Sequence, residues 1–388
     1  MPKGYSKSIH AAVLLLSFFG ALMATSAGMN QNATIESIVF SFGRQVAFIV
    51  LGYIMMVKAA KHTSIKLLKK SIFIVAVVTS FVLLLPLMFP SRGGAQAWIV
   101  LPIVNMTIQP SEFAKVVIIL LFATYLGDVQ TSTKKWYEII RVPISFLFIY
   151  SFIVVVLQSD LGTGLIIFAL GWFLMLVPSI PQLKTVKIVF SVITIIGFVS
   201  LFWLITPSGI AFINTLPLSA YQLNRFNDMM NPFVNRHESA FQLFNSLIAF
   251  TKGSWWGIGL GKSVQKLGYL PVADSDYILA IIVEEIGVFG FVFILVGYCI
   301  ILFSLLSKAM KVISEKGKMI IFGSALYLML HFILNVGGVS ATIPLTGVPL
   351  LMISSGGSSQ LAIMVSIGFS QAMIAKERGR KKNENHLW

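Results

Sequence analysis

The chain has only fourteen carboxylates in 388 residues, so each acid can be weighed for chemistry. Glu112, Asp160, Asp274, Asp276, Glu284 and Glu285 fall at or near the ends of long apolar runs, on the side away from most lysines. An acid there is costly unless it is paired or faces an aqueous cavity, which marks it for proton transfer or ligand binding. Asp276 stands in Leu270-Pro271-Val272-Ala273-Asp274-Ser275-Asp276-Tyr277, where a long connection returns to an apolar run. Its bland reading is a helix N-cap, and its sharper one is a general base. Glu112 and Lys115 lie in Gln109-Pro110-Ser111-Glu112-Phe113-Ala114-Lys115. Pro110 and Ser111 mark a helix start, and a spacing of three puts the two charges on one face. They form an ion pair inside the fold, or Lys115 faces an anionic headgroup. Asp160, in Gln158-Ser159-Asp160-Leu161-Gly162-Thr163, is equally placed as a cap or a ligand. Glu284 and Glu285 are consecutive and point to different faces. Lys115 or Arg44 is the expected partner of at least one of them, in a supporting role.

Other signals are weaker. Gly257-Ile258-Gly259-Leu260-Gly261-Lys262-Ser263 looks like a phosphate-binding loop, but the required spacing puts Trp256 where the first glycine belongs. It is kept as an anion-site candidate through its backbone N–H groups. Cys299, the single cysteine, excludes intrachain disulfides and reads as a small core residue. The five histidines lack metal-ligand spacing, and His331 reads as packed and hydrogen-bonded. Glu36, Asp228 and Glu238 read as solvated on one side of the membrane, and Asp128, Glu138, Glu315, Glu377 and Glu384 on the other.

The elements that must position these residues are membrane helices. The composition is 57% hydrophobic and 11% charged, against about 25% charged in soluble domains. Runs near 8–28, 37–57, 71–90, 111–127, 141–158, 161–177, 186–206, 277–306, 319–340 and 357–375 approach the roughly 20 residues that cross a bilayer. An all-α polytopic protein with about ten spans follows, as one membrane domain over 1–388. The first run reads as a span rather than a cleaved signal. Apart from Arg44, Arg92, Lys115, Arg225, Arg236, Lys252, Lys262 and Lys266, every Lys and Arg falls on the side of the termini. That asymmetry predicts cytoplasmic termini, and it accounts for the net charge of +15 without nucleic acid. One outer connection, 207–276, is far longer than ordinary loops, which is where function is expected. It contains an amphipathic stretch at 240–251, read as an interfacial helix. The basic segment 376–388 reads as a cytoplasmic tail.

Six segments together resemble the SEDS family of peptidoglycan glycosyltransferases (FtsW, RodA and SpoVE). They are Gly94-Ala95-Gln96-Ala97-Trp98-Ile99, the segments around Glu112 and Asp160, the stretch from Gly257 to Pro271, Glu284-Glu285-Ile286-Gly287, and Pro344-Leu345-Thr346-Gly347. The resemblance implies polymerisation of lipid II at the outer membrane face, with Asp276 as the catalytic aspartate and Trp98 as the activity-linked tryptophan. It extends substrate binding to Arg92, Gln109, Ser111, Glu112, Lys115, Asp160, Gln242, Ser263, Gln265 and Lys266. Ser263-Val264-Gln265-Lys266 is more similar to the division type than to the elongation type. Implied partners are a class B penicillin-binding protein and other division proteins. The family pattern has Glu-Ala-His-Thr-Asp-Phe where this chain has Val272 to Tyr277, and proline where Ser159 stands.

In that reading Asp276 takes a proton from an acceptor sugar hydroxyl. Lys115, Arg92 and the 257–263 loop, with a divalent cation (Mg²⁺ or Mn²⁺) as a possible addition, stabilise the departing pyrophosphate. The alternatives are an elongation- or sporulation-type polymerase, a flippase for a lipid-linked precursor, and a non-catalytic division scaffold.

Overall fold

The computed structural model describes residues 1–29, 33–63, 65–101, 106–127, 135–204, 206–216 and 220–385. Asp128, Lys134 and His386 lie outside them. The chain is almost wholly helical, in the order α1 (Lys7–Ala27), α2 (Ile35–His62), α3 (Ile65–Leu84), β1 (Ile99–Leu101), β2 (Met106–Ile108), α4 (Pro110–Leu126), α5 (Trp136–Phe152), α6 (Leu161–Leu174) and α7 (Lys184–Leu204). Then come α8 (Pro207–Ile213), α9 (Ala220–Met230), α10 (Phe241–Gly253), α11 (Ile278–Ile286), α12 (Val288–Lys311), α13 (Glu315–Val339) and α14 (Gly357–Asn385).

Among the described residues, eight helical stretches are long and apolar enough to cross a membrane. Helices α4 and α6, of 17 and 14 residues, complete the bundle. Both fall short of the roughly 20 residues that 30 Å of hydrocarbon requires. Each begins at a polar cluster, where Gln109 and Asp160 meet, so neither needs to span the full thickness. Helix α4 is the axis of the bundle. Residues from Ala114 to Ala123 along it are all buried, and α3, α5, α6, α13 and α14 pack around it. Helix α7 lies at the opposite extreme, with no buried residue, as suits an apolar helix surrounded by lipid.

Four features depart from the sequence reading. The stretch 277–306 is not one helix. It breaks at Gly287, whose φ of +79° favours a residue without a Cβ. A Cβ there would stand 2.2 Å from the Trp255 carbonyl oxygen. The outer connection 91–110 contains an antiparallel ribbon pairing Ile99 with Ile108. Cys299 is exposed rather than buried, because an outward-facing site on a membrane helix tolerates an apolar residue as well as a core site does. The basic segment after 375 extends α14 instead of leaving it.

Helix α5 passes through a π-helical turn, Ile153–Leu157, into Ser159, whose φ is +57°. Proline fixes φ near −65°, so the family's proline cannot follow this backbone path. Ser159→Pro is expected to lower stability by more than about 1 kcal/mol, whereas Ser159→Gly should hold or raise it. Thermal unfolding of the purified chain in detergent checks both.

Candidate active site around Asp276

Asp276 sits in a tight turn leading into α11. The N–H groups of Ser275 and Tyr277 both donate to the Val272 carbonyl, at 3.2 and 3.3 Å. Tyr277, not Asp276, holds the N-cap position of α11, so the N-cap reading does not apply. The backbone around the acid is pinned from two sides. Asn335 Nδ2 on α13 donates at 2.8 Å to the carbonyls of both Asp276 and Val348. The Ser354 hydroxyl donates to the Ser275 carbonyl at 2.7 Å, and the Ser355 N–H to that of Asp274 at 2.9 Å. The loop 344–349 crosses directly beside the acid, since a Cβ on Gly347 would lie 3.5 Å from Asp276 Oδ2. Arg225 of α9 donates to the Leu345 carbonyl of that same loop.

The carboxylate of Asp276 is half-buried, and its pKa is pushed up to about 7. Loss of hydration is the main cause. The negative charges of Asp274 and Asp160 act in the same direction, against the Ser275 hydroxyl and the Arg225 guanidinium, which favour the ionised form. At neutral pH such a group exchanges a proton readily, the property required of a general base.

The neighbouring acids have defined partners. Asp160 caps α6 by accepting from the Thr163 N–H at 3.0 Å, and Gln109 Nε2 donates to its other oxygen at 2.9 Å. Glu112 and Lys115 form a fully buried ion pair at 2.6 Å. Tyr327 donates to the second Glu112 oxygen at 2.7 Å. Lys115 Nζ lies 2.9 Å from His331 Nε2, and His331 Nδ1 is 3.0 Å from the Pro349 carbonyl. That carbonyl can only accept, so Nδ1 carries the proton and Nε2 accepts from the lysine. The cluster joins α4 to α13 and to the loop crossing Asp276. Lys115 is occupied in this network rather than facing a headgroup. Ser111, beside it, is buried, with no partner for its hydroxyl among the described residues.

Glu284 and Glu285 form a separate centre whose partners differ from those expected. Glu285 pairs with Lys266 at 2.8 Å, and Ser26 of α1 donates to both its oxygens. Arg44 is exposed. Glu284 accepts from the Ser263 hydroxyl and from the N–H groups of Val264 and Gln265. The Ile258 and Gly259 N–H groups donate to the carbonyls of Glu284 and Glu285 at 2.9 and 3.0 Å. The glycine loop thus wraps the C-terminal end of α11. Gly257 is required there because a Cβ would come within 2.3 Å of the Glu285 carbonyl oxygen. The anions held by 257–266 are the protein's own carboxylates, so this loop is corrected from a pyrophosphate site to an anchor for α11. Ser263, Gln265 and Lys266 are buried in that anchor.

The remaining candidates are dispersed. Arg92 is exposed in a tight turn closed by its pairing with Ala95. Trp98 is half-buried just before β1, and Gln242 is half-buried on α10. Helix α10 buries Leu243, Ser246 and Ala249, and Ser246 donates to the Val339 carbonyl at 2.9 Å. It is therefore packed on the bundle by one face. Asp228, read as solvated, is buried and accepts from Asn235 and Ser239. Sequence reasoning missed Arg225 and Asn335 as site residues. Arg225 had one usable signal, an arginine within the long outer connection, while Asn335 had none. No three His, Cys, Asp or Glu side chains among the described residues gather so as to hold a metal ion.

A multi-span helical protein with a raised-pKa aspartate beneath a long loop defines the class, an integral-membrane protein with a candidate acid–base site at one end of its bundle. The chain belongs to the cell cycle protein family FTSW_RODA_SPOVE, which it matches over residues 6–378. It is 31% identical to a Bacillus subtilis protein named probable peptidoglycan glycosyltransferase FtsW, over 100% of this chain and 95% of that one. A Haemophilus influenzae protein of the same name is 30% identical over 95% and 90% of the two chains. Among solved structures, a chain of a peptidoglycan synthase complex, described as coordinating polymerization and crosslinking, aligns with a TM-score of 0.71 at 21% identity, covering 97% of this chain and 99% of that one. The Thermus thermophilus rod shape determining protein RodA aligns at 0.62 and 18% identity, covering 97% and 98%. These two likenesses show a shared fold.

Proposed function

We propose that the chain is a peptidoglycan glycosyltransferase that polymerises lipid II for septal wall synthesis. The observation that carries the chemistry is Asp276, half-buried with a pKa of about 7, held by its backbone and facing Arg225. The family membership and the names of the full-length relatives support the reaction and the division role. Asp276 removes the proton of an acceptor sugar hydroxyl. That oxygen bonds to C1 of the donor sugar as the bond from C1 to the pyrophosphate oxygen breaks, and polyprenyl pyrophosphate leaves. Arg225, whose charge already acts on Asp276, is the cation that meets the negative charge that develops.

Asp276 lies at the outer face, with both termini cytoplasmic, and a class B penicillin-binding protein supplies crosslinking. The lysine asymmetry supports that orientation, and the synthase-complex fold likeness supports the partnership. The deciding experiment incubates the purified chain, with its partner, with labelled lipid II. Glycan polymer is expected from the native chain. Polymer that persists in Asp276→Ala would remove this residue from the mechanism, and lipid translocation without polymer would favour a flippase.

A further inference from the structure

The end of the bundle opposite Asp276, roughly 22–30 Å along α12 from Val288 at 1.5 Å per residue, carries a polar concavity. It encloses about 550 Å³ between residues 4–8, the α12 residues Phe303, Ser304, Ser307 and Lys308, and Arg378 of α14. We propose that this cavity binds the phosphate headgroup of an anionic phospholipid.

Three cations line it, Lys7, Lys308 and Arg378, and among the described residues none of them has a carboxylate within ion-pair distance. Glu377, next to Arg378 in sequence, pairs instead with Arg380 at 2.8 Å. The charges of Arg378 and Lys311 both bear on Lys308, so positive charges are gathered here without a counter-ion among the described residues. Arg378 is positioned by one nitrogen, Nη1, which donates to the carbonyls of Gly4 and Tyr5 at 3.3 and 3.1 Å. Among the described residues its other nitrogens have no hydrogen-bond partner.

The floor of the cavity is hydroxylic. Ser6 and Ser8 share a hydrogen bond at 3.1 Å, and Ser8 and Ser304 another at 3.1 Å. Each hydroxyl is free to rotate and donate to a phosphate oxygen. Helix α1 begins at Lys7, and its N-cap residue Ser6 makes no side-chain cap. The first turn of this 21-residue helix thus lines the cavity without a side-chain cap, at the helix end that favours anions. One wall is apolar. Phe303 forms it and is 76% exposed. Cations and hydroxyls on one side with an aromatic wall on the other match an amphiphile with a phosphate head, rather than a soluble phosphate alone.

The test titrates the detergent-solubilised full chain with phosphatidylglycerol, phosphatidylcholine or inorganic phosphate, followed by native mass spectrometry. One equivalent of phosphatidylglycerol is expected to bind in preference to phosphatidylcholine. The double variant Lys7→Gln/Lys308→Gln should weaken it on the order of 30-fold, at about fivefold per cation. Lys58→Gln/Lys61→Gln removes the same charge from an exposed stretch of α2 and should leave binding unchanged. Thermal melting of both double variants verifies that they are folded. Equal weakening by the two variants would overturn the site in favour of diffuse attraction. Displacement of phosphatidylglycerol by an equal concentration of inorganic phosphate would overturn the lipid assignment.

Discussion

Replacing Asp276 with asparagine is expected to cut glycan polymerisation by roughly 10²- to 10⁴-fold, the range typical of losing a general base. Asparagine keeps the size and leaves the backbone contacts to Asn335 and Ser354 intact, so the fold should survive. The native enzyme should also carry the signature of this group in its pH profile. The base works only when ionised, and its pKa lies at about 7. Activity should therefore rise as pH increases through neutrality and level off above it. Asp274 pushes that pKa up, so Asp274→Asn should move the rising limb toward lower pH. Gel analysis of products from labelled lipid II across neutral pH reads both effects. A limb that stays in place in Asp274→Asn would mean that another group titrates.

The second large effect concerns stability. Glu112→Ala strips the buried Lys115 of its ion-pair partner at 2.6 Å. Breaking a buried pair from one side costs about 3–5 kcal/mol, because the remaining charge is left uncompensated. Tyr327 loses its acceptor in the same step. Removing both charges together, as Glu112→Gln/Lys115→Met, should cost much less than the two single changes summed. Thermal unfolding in detergent provides the double-mutant cycle. An additive result would mean that the pair does not act as a unit.

The helical bundle was legible in the sequence because crossing a bilayer demands long apolar runs, which hydropathy registers directly. Part of the candidate site was also legible, since two of the span-end acids, Asp274 and Asp160, act on Asp276, and the overlong connection supplies Arg225. What escaped reading depended on contacts between distant segments. Lys266 is the partner of Glu285, and nothing in their spacing distinguishes it from Lys115 or Arg44. The break at Gly287 is masked by apolar residues on both sides, and its cause is the backbone of Trp255 pressing on α11. Hydropathy also cannot separate a lipid-facing residue from a core one, which is how Cys299 was misplaced. Asp228 was misread for a related reason, because its Asn235 and Ser239 partners lie in an irregular turn that carries no periodic pattern.

The side-chain amide of Asn335 has two hydrogens, and both are committed, one to the carbonyl of Asp276 and one to that of Val348. The acid and the loop that crosses it therefore share one side chain of α13, and His331 holds the loop a second time through the Pro349 carbonyl. The loop cannot lift away from α13 while Asp276 stays seated without giving up one of these bonds, at about 1 kcal/mol net. Asn335 therefore couples the seating of Asp276 to the position of residues 344–349, the loop beside its carboxylate.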